Sequence, residues 1–192
     1  TTASRWLTPK LIGDDVNHLI TDGTHIYIAG QSTGAHKMLS NGTIVQTWSV
    51  SDGLFSNNVN HLAISGNNLL SINSDSAISI IDLASNSITS YDENSDLASS
   101  LIVDIAAFGN MAYIATSDNG LARYDVVNQT FLAPWGSTGV NNADNAPLAV
   151  FDNILHMGLP GYGVVRKDLT NGEILLPLVE NSDINGIEIL PN

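Results

Sequence analysis

The chain of 192 residues contains no cysteine and only six lysine and arginine residues. Without cysteine there is no disulfide, no thiolate metal ligand and no cysteine nucleophile, and such a chain is compatible with any redox compartment. Nineteen aspartate and glutamate residues against these six basic ones give a formal net charge of -13. Because nucleic-acid binding needs clustered lysine and arginine, this charge argues against a nucleic-acid partner.

Long apolar runs are also absent. None approaches the roughly 18 residues of a membrane helix, so no membrane insertion is predicted for this segment. The chain begins with Thr1 and Thr2, without an initiator methionine or the pattern of a signal peptide, and we expect an excised, processed or truncated chain. An apolar content of 43% with 13% charged residues is typical of a globular domain with a hydrophobic core.

A pattern of apolar and small residues recurs at a spacing of 43 residues, which predicts an array of one repeated structural unit. One column contains Val16, Val59, Ile102 and, interrupting the apolar pattern, Asn145; a second contains Leu19, Leu62, Ile105 and Leu148. A third column is small throughout, with Gly34, Ala77, Gly120 and Gly163. Asp82, Asp125 and Asp168 each precede a turn that contains asparagine.

Each unit is predicted to contain four short strands, because runs of Ile, Val, Leu and Tyr are separated by Gly, Asn, Asp and Ser every 8 to 12 residues. No helix is predicted. The strands of the second unit are expected at 59–64, 68–73, 77–82 and 87–91, and those of the third at 102–108, 111–116, 120–125 and 129–133. Tight hairpins that need a positive φ are expected at Asp22-Gly23, Ser65-Gly66-Asn67 and Gly109-Asn110.

Four antiparallel strands in about 40–45 residues is the period of a β-propeller blade, whereas a leucine-rich or hexapeptide solenoid has a much shorter period. The nearly continuous apolar run 102–108 fits an inner strand covered on both faces better than the strict alternation of a sandwich. The fold class is therefore predicted to be an all-β propeller, with blades at about 16–58, 59–101, 102–144 and 145–183. Trp48, Tyr91 and Trp135 are expected to close the first three blades.

The two ends extend this pattern, because 4–8 resembles the outer strand of a preceding blade and 184–190 the inner strand of a following one. We therefore expect a partial ring, since closed rings avoid the exposed sheet edges that promote aggregation. The sequence leaves three arrangements open. The ends meet within one chain, two copies complete a ring of about eight blades, or flanking sequence has been removed.

The junction before the second blade, 53–59 (Gly-Leu-Phe-Ser-Asn-Asn-Val), leads directly into an inner strand. Together with the segment 116–125 (Thr-Ser-Asp-Asn-Gly-Leu-Ala-Arg-Tyr-Asp), it resembles the two-component-regulator propeller repeat. The resemblance covers nearly the whole chain, but Leu70 and Tyr113 stand where that family favours tryptophan in the second strand. It implies extracytoplasmic sensing of a ligand or protein, and it carries over no catalytic residue.

One column of polar residues follows the predicted inner strands, with His18, His61 and Asp104, and Pro147 in the fourth unit. Consecutive blades are expected to bring the three polar side chains together near a central channel. Metal ligation is one interpretation, although Zn²⁺ needs three or four converging donors. The favoured interpretation is that these side chains hydrogen-bond neighbouring blades or line a wet channel and form a candidate ligand site.

A second column contains Lys37, Arg123 and Arg166, next to Lys167, and has Ile80 in the second unit. An anion-binding stripe along successive third strands is one interpretation, because arginine grips carboxylates well. Ion pairing between blades is the favoured one, given the abundance of carboxylates.

Acidic turns at Asp14-Asp15, Asp92-Glu93 and Asp118-Asn119 offer the hard oxygen ligands of Ca²⁺, but none matches a complete loop motif. Turn formation through the side chain's own backbone is the favoured explanation. Asn41-Gly42-Thr43 and Asn128-Gln129-Thr130 are glycosylation sequons, both predicted in the hairpin between the third and fourth strands on the outer rim.

No catalytic constellation and no cofactor motif is found. There is no Gly-x-Ser-x-Gly and no phosphate-binding loop, although carboxylates at loop tips converge only in three dimensions. The predicted function is therefore a non-enzymatic, extracytoplasmic module that recognises a protein or a small ligand. Two alternatives are a propeller enzyme of the lyase, glycosidase or quinone dehydrogenase type, and a structural spacer of a larger surface protein.

Overall fold

The structure is a computed structural model that describes residues 15–74, 76–97, 99, 101–117, 120–135, 146–159, 161 and 163–175. These residues form four antiparallel sheets of four strands each, and in every sheet the strands pair in chain order. The first strands of consecutive sheets lie beside one another. They are called the inner strands below, and the fourth strand of each sheet is the outer strand.

The sixteen strands have the following bounds. The first sheet contains β1 (Val16–Thr21), β2 (His25–Gly30), β3 (Ala35–Leu39) and β4 (Ile44–Trp48). The second contains β5 (Val59–Ser65), β6 (Asn68–Asn73), β7 (Ala77–Asp82) and β8 (Ile88–Tyr91). The third contains β9 (Ile102–Phe108), β10 (Met111–Thr116), β11 (Gly120–Asp125) and β12 (Thr130–Trp135). The fourth contains β13 (Leu148–Phe151), β14 (Ile154–Leu159), β15 (Gly163–Asp168) and β16 (Ile174–Leu175).

The predicted strands of the second and third units are confirmed, with boundaries that differ by at most two residues. The helical content of the described residues is a single 3₁₀ turn, Val50–Asp52, in the first junction between sheets. No helix in the described part is long and apolar enough to cross a membrane. The predicted strands at 4–8 and 184–190 lie outside the described residues.

The tight hairpins have the backbone that the sequence predicts. Gly23, Gly66 and Gly109 adopt φ values of 87°, 55° and 58°, in the left-handed region that glycine enters without steric cost. Gly34 has φ 88° as well, and it lies where its sheet meets the end of β4, so that a Cβ there would be 2.0 Å from the carbonyl oxygen of Trp48. The small-residue column therefore has a packing reason at this position.

The core consists of three clusters, one between each pair of consecutive sheets. The last residue of an outer strand belongs to each of them: Trp48 is buried between the first and second sheets, Tyr91 packs between the second and third, and Trp135 packs between the third and fourth. These aromatic residues end their sheets, as predicted, and they also pack each sheet onto the next. Leu54 and Leu97, one repeat apart in the junctions, are buried in two of the same clusters.

A β-bulge interrupts each of the first three inner strands near its start. The pairing register shifts between Val16 and His18, between Val59 and His61, and between Ile102 and Asp104. A bulge changes the direction of the side chains that follow it. In all three strands the residue directly after the bulge belongs to the polar column of the sequence.

Candidate functional site

The structure brings His18, His61 and Asp104 together along three consecutive inner strands. The imidazole rings of His18 and His61 stack with their centroids 5.2 Å apart and an interplanar angle of 29°. Nδ1 of His61 lies 3.2 Å from Oδ1 of Asp104. The fold thus places the three residues side by side because they occupy the same position in successive repeats. We call these three residues the polar row.

Two members of the polar row are fixed by backbone amides of the next sheet. The amide of Leu62 donates to Nδ1 of His18 at 3.3 Å, and the amide of Leu148 donates to Oδ2 of Asp104 at 2.7 Å. Asp104 also accepts from the amide of Ile105 through Oδ1 at 2.8 Å. An inner strand is a sheet edge whose outward N–H groups need partners. His18 and Asp104 each supply a partner to one such group and thereby link consecutive sheets along their inner strands.

A cavity of about 420 Å³ opens along this row. Its polar lining comes from the three side chains of the polar row, and its apolar lining comes from the same inner strands, including Ile20 and Ile64. A second cavity of about 340 Å³ also borders His61, beside Asn17 and Asn60. Polar groups on an apolar, concave surface are the usual features of a small-ligand site.

Burial lowers the pKa of His18, and the neighbouring His61 lowers it further, while Asp104 acts in the opposite direction. His18 is therefore neutral at physiological pH. Among the described residues, no group of three His, Cys, Asp or Glu side chains is arranged to hold a metal ion. In the polar row, the backbone amides of Leu148 and Ile105 already bind the carboxylate of Asp104, and the backbone amide of Leu62 binds Nδ1 of His18.

The basic column lies on the third strands of three sheets and contacts aromatic rings and a carbonyl. The guanidinium of Arg123 donates to the carbonyl of Ala133 from Nε at 3.1 Å and from Nη2 at 2.7 Å, and it covers the ring of Trp135 at 4.5 Å. Nζ of Lys37 lies 5.9 Å from the centroid of the Tyr27 ring in its own sheet. Arg166 occupies the equivalent position on β15. An anion-binding role for this column stays a prediction.

Sequence reasoning did not predict that Trp135 contacts two cationic side chains. Nζ of Lys167, on the fourth sheet, lies 4.5 Å from the ring centroid of Trp135, on the third, and Tyr113 stacks on the same indole at 5.7 Å. Burial and the nearby Arg123 lower the pKa of Lys167. Two cations therefore share one indole at the interface between the third and fourth sheets. The sequence feature that could have predicted these contacts is the position of Trp135 at the end of an outer strand, opposite the basic column.

The acidic turns bind their own backbone. Asp82, Asp125 and Asp168 each accept hydrogen bonds from amides two or three residues further along. These bonds lower the pKa of Asp82 and Asp125, whereas the pKa of Asp168 is lowered first by the hydroxyl of Thr170 and then by its amide. Asp92 binds the amide of Asn94 in the same way. The predicted turns at Asp14 and at Asp118-Asn119 fall partly or wholly outside the described residues.

Both sequons are exposed on the rim. Asn41 lies in the β3–β4 hairpin and Asn128 in the β11–β12 hairpin, where the sequence places them. The Asn128 side-chain amide donates to Oδ2 of Asp125 at 2.8 Å, so the turn partly engages it.

No family model and no curated protein matches the sequence. Solved structures do match it. The WD40 repeats of RRP9 superpose with a TM-score of 0.68 at 14% identity, over 85% of this chain and 51% of that chain. WD40 repeats form β-propellers. This chain has a β-propeller fold. Its four sheets are blades.

Two bacterial structures share the fold. The extracellular domain assigned to a hybrid two-component system of B. thetaiotaomicron matches with a TM-score of 0.68 at 14% identity, over 89% of this chain and 24% of its own. PorZ, a surface component of the type-IX secretion system of Porphyromonas gingivalis, matches with a TM-score of 0.66 at 18% identity, over 91% of this chain and 24% of its own. This chain thus spans about a quarter to a half of each structure, and the likeness is one of fold.

Proposed function

We propose that this propeller is a non-enzymatic recognition module that binds a small polar ligand in the cavity along the polar row. The observation that carries the proposal is the arrangement of His18, His61 and Asp104 along an otherwise largely apolar cavity of about 420 Å³. Backbone amides of the next blade fix two of these side chains before any ligand arrives. Preorganised polar groups reduce the entropic cost of binding.

The setting of the module is part of the proposal. Similarity to an extracellular domain of a two-component system and to a bacterial surface component supports an extracytoplasmic sensor or surface-protein segment. The resemblance of the repeat to the two-component-regulator propeller points in the same direction. The strongly negative charge of -13 and the two exposed sequons are compatible with this location.

A thermal-shift screen tests the recognition function. The probes are monosaccharides, free amino acids, simple amides and dipeptides at millimolar concentration, measured with the unmodified chain and with His61→Leu. A ligand of the native state raises the Tm according to its concentration relative to Kd. We expect at least one probe to raise the Tm of the unmodified chain but not that of His61→Leu. A screen in which no probe raises the Tm would contradict the function.

A second candidate function rests on the contact between His61 and Asp104. A carboxylate that orients an imidazole is the arrangement that general bases use in enzymes, and it favours the lyase or hydrolase alternative. Incubation with chromogenic glycosides and esters tests it. Turnover that disappears in His61→Gln would favour catalysis, whereas a thermal shift without turnover favours recognition. A spacer, the third alternative, would show neither.

We further propose that a second copy of the chain completes the ring. Leu19 on the first inner strand is 57% exposed, whereas its repeat equivalents Leu62, Ile105 and Leu148 are 2%, 5% and 7% exposed because a preceding blade covers them. On the last blade, Nδ1 of His156 is buried and has no hydrogen-bond partner among the described residues. The first blade therefore presents the apolar face that the other blades bury.

A further inference from the structure

The contacts of the polar row determine which nitrogen of each histidine carries the proton. The amide of Leu62 is only a donor, and it points at Nδ1 of His18 from 3.3 Å. Nδ1 of His18 must therefore offer its lone pair. In a neutral imidazole one nitrogen is a donor and the other an acceptor, so the proton of His18 is on Nε2. The lowered pKa of His18 keeps this ring neutral at physiological pH.

His61 has the opposite arrangement. Its Nδ1 lies 3.2 Å from Oδ1 of Asp104, close enough for a lone pair on that nitrogen to be repelled by the carboxylate and for an N–H to be attracted to it. The proton of neutral His61 is therefore on Nδ1, and Nε2 offers a lone pair. Asp104 cannot turn away easily, because the amides of Ile105 and Leu148 hold both of its oxygens.

Two stacked rings thus present different chemistry to the same cavity. His18 offers a donor at Nε2 and His61 an acceptor at Nε2, and no described residue pairs with either atom. Both residues line the cavity of about 420 Å³, whose remaining lining is apolar apart from Asp104 and backbone groups. A ligand that satisfies both nitrogens needs an acceptor and a donor, and because the ring centroids are only 5.2 Å apart, one small group that carries both is the simplest match.

We propose that this site recognises a primary carboxamide. Its carbonyl oxygen accepts from Nε2 of His18, and its syn N–H donates to Nε2 of His61. A secondary amide is almost always trans and directs its C=O and N–H to opposite sides, so it satisfies only one ring. A carboxylate has two acceptors, one of which would face the lone pair of His61. The inference rests on the proposed function and adds the ligand class to it.

A matched pair of probes tests the proposal. N-acetylglycinamide and N-acetylglycine differ only in a terminal carboxamide or carboxylate, and ¹⁵N NMR of the histidine rings reports both tautomer and binding. At pH 8 we expect His18 in the Nε2–H form and His61 in the Nδ1–H form. We expect the amide to shift the signals of both rings and to bind at least tenfold more tightly than the acid. A blocked Ala-Gln-Ala peptide tests whether a polypeptide side chain binds more tightly than the free amide.

Two variants test whether amide binding depends on His18. His18→Asn keeps an acceptor for the amide of Leu62 but removes the Nε2–H donor, and we expect it to lose amide binding. His25→Asn alters a histidine at the start of β2, outside the cavity, and is expected to bind as the unmodified chain does. The opposite tautomers, equal or tighter binding of the acid at pH 8, or no response to either probe would each overturn the carboxamide proposal. Hits of other chemistry in the thermal-shift screen would leave the recognition function standing.

Discussion

Oδ2 of Asp104 accepts a 2.7 Å hydrogen bond from the backbone amide of Leu148, and this bond joins the third blade to the fourth at their inner strands. Leu148 is largely buried in the interface between these blades. The same carboxylate lies 3.2 Å from Nδ1 of His61 on the second blade. One side chain therefore connects three consecutive blades.

Asp104→Ala is predicted to destabilise the chain by about 1–3 kcal/mol, because it leaves the buried amide of Leu148 without an acceptor. Asp104→Asn retains an acceptor oxygen and is expected to lose less stability than Asp104→Ala. Urea unfolding measures both. Glu93→Ala, at an exposed turn position, removes the same charge as a control. Equal midpoints for Asp104→Ala and the control would refute a linking role for Asp104.

The stability of the chain is predicted to depend on pH through His18. Because burial lowers the pKa of His18 in the folded state, the contribution of this residue to the free energy of unfolding is fully present above the ordinary pKa of 6.5. It is lost as the pH falls from 6.5 towards the folded pKa, where the unfolded chain binds the proton first. His18→Asn removes the titration and keeps the acceptor for Leu62. Urea midpoints between pH 8 and pH 5 should therefore fall less in this variant, and parallel curves would contradict the prediction.

Gly34→Ala is predicted to be severely destabilising, since the new Cβ would be 2.0 Å from the carbonyl oxygen of Trp48. Gly23→Ala is a matched control, because Gly23 has φ +87° against +88° for Gly34 and nothing lies within 4 Å of its Cβ position. The control should cost only the left-handed strain of about 1–2 kcal/mol. Comparable thermal midpoints for the two variants would show that the backbone yields at Gly34.

The indole of Trp135 is predicted to couple energetically to Lys167 across the interface between the third and fourth blades. In a double-mutant cycle of Trp135→Leu and Lys167→Met, methionine retains most of the apolar stem and removes the charge. A coupling energy of about 0.5–2 kcal/mol is expected from the cation–π contact. Additive losses in urea unfolding would show that the two side chains pack without this interaction.

Closure of the ring by a second copy predicts a dimer in solution that depends on Leu19. Multi-angle light scattering at tens of micromolar should give twice the chain mass for the unmodified protein and the monomer mass for Leu19→Asp. Val127→Asp, at an exposed hairpin residue, should remain dimeric. A monomeric unmodified chain would instead assign the exposed face to blades of a longer polypeptide.

The sequence alone determined the repeat and the strands built on it. The spacing of Leu62 and Ile105 gives the blade period, and the glycines at 66 and 109 give the hairpins, because strand pairing and turn geometry depend on neighbours close in the chain. The alignment of His18, His61 and Asp104 was also predictable, since equal positions in consecutive blades must be neighbours. Arg123 shows the limit, because its column predicted carboxylate partners and the side chain binds Ala133 and Trp135 instead.

Only the tertiary structure decided what each member of the polar row binds. The bulges in the inner strands rotate the side chains after them, and the placement of the next blade determines which amide each side chain meets. His18 therefore accepts from Leu62, whereas His61 faces Asp104, although both histidines occupy one column. A repeat pattern specifies which residues are neighbours, but hydrogen bonding depends on a few tenths of an ångström and on direction, which only the packed blades determine.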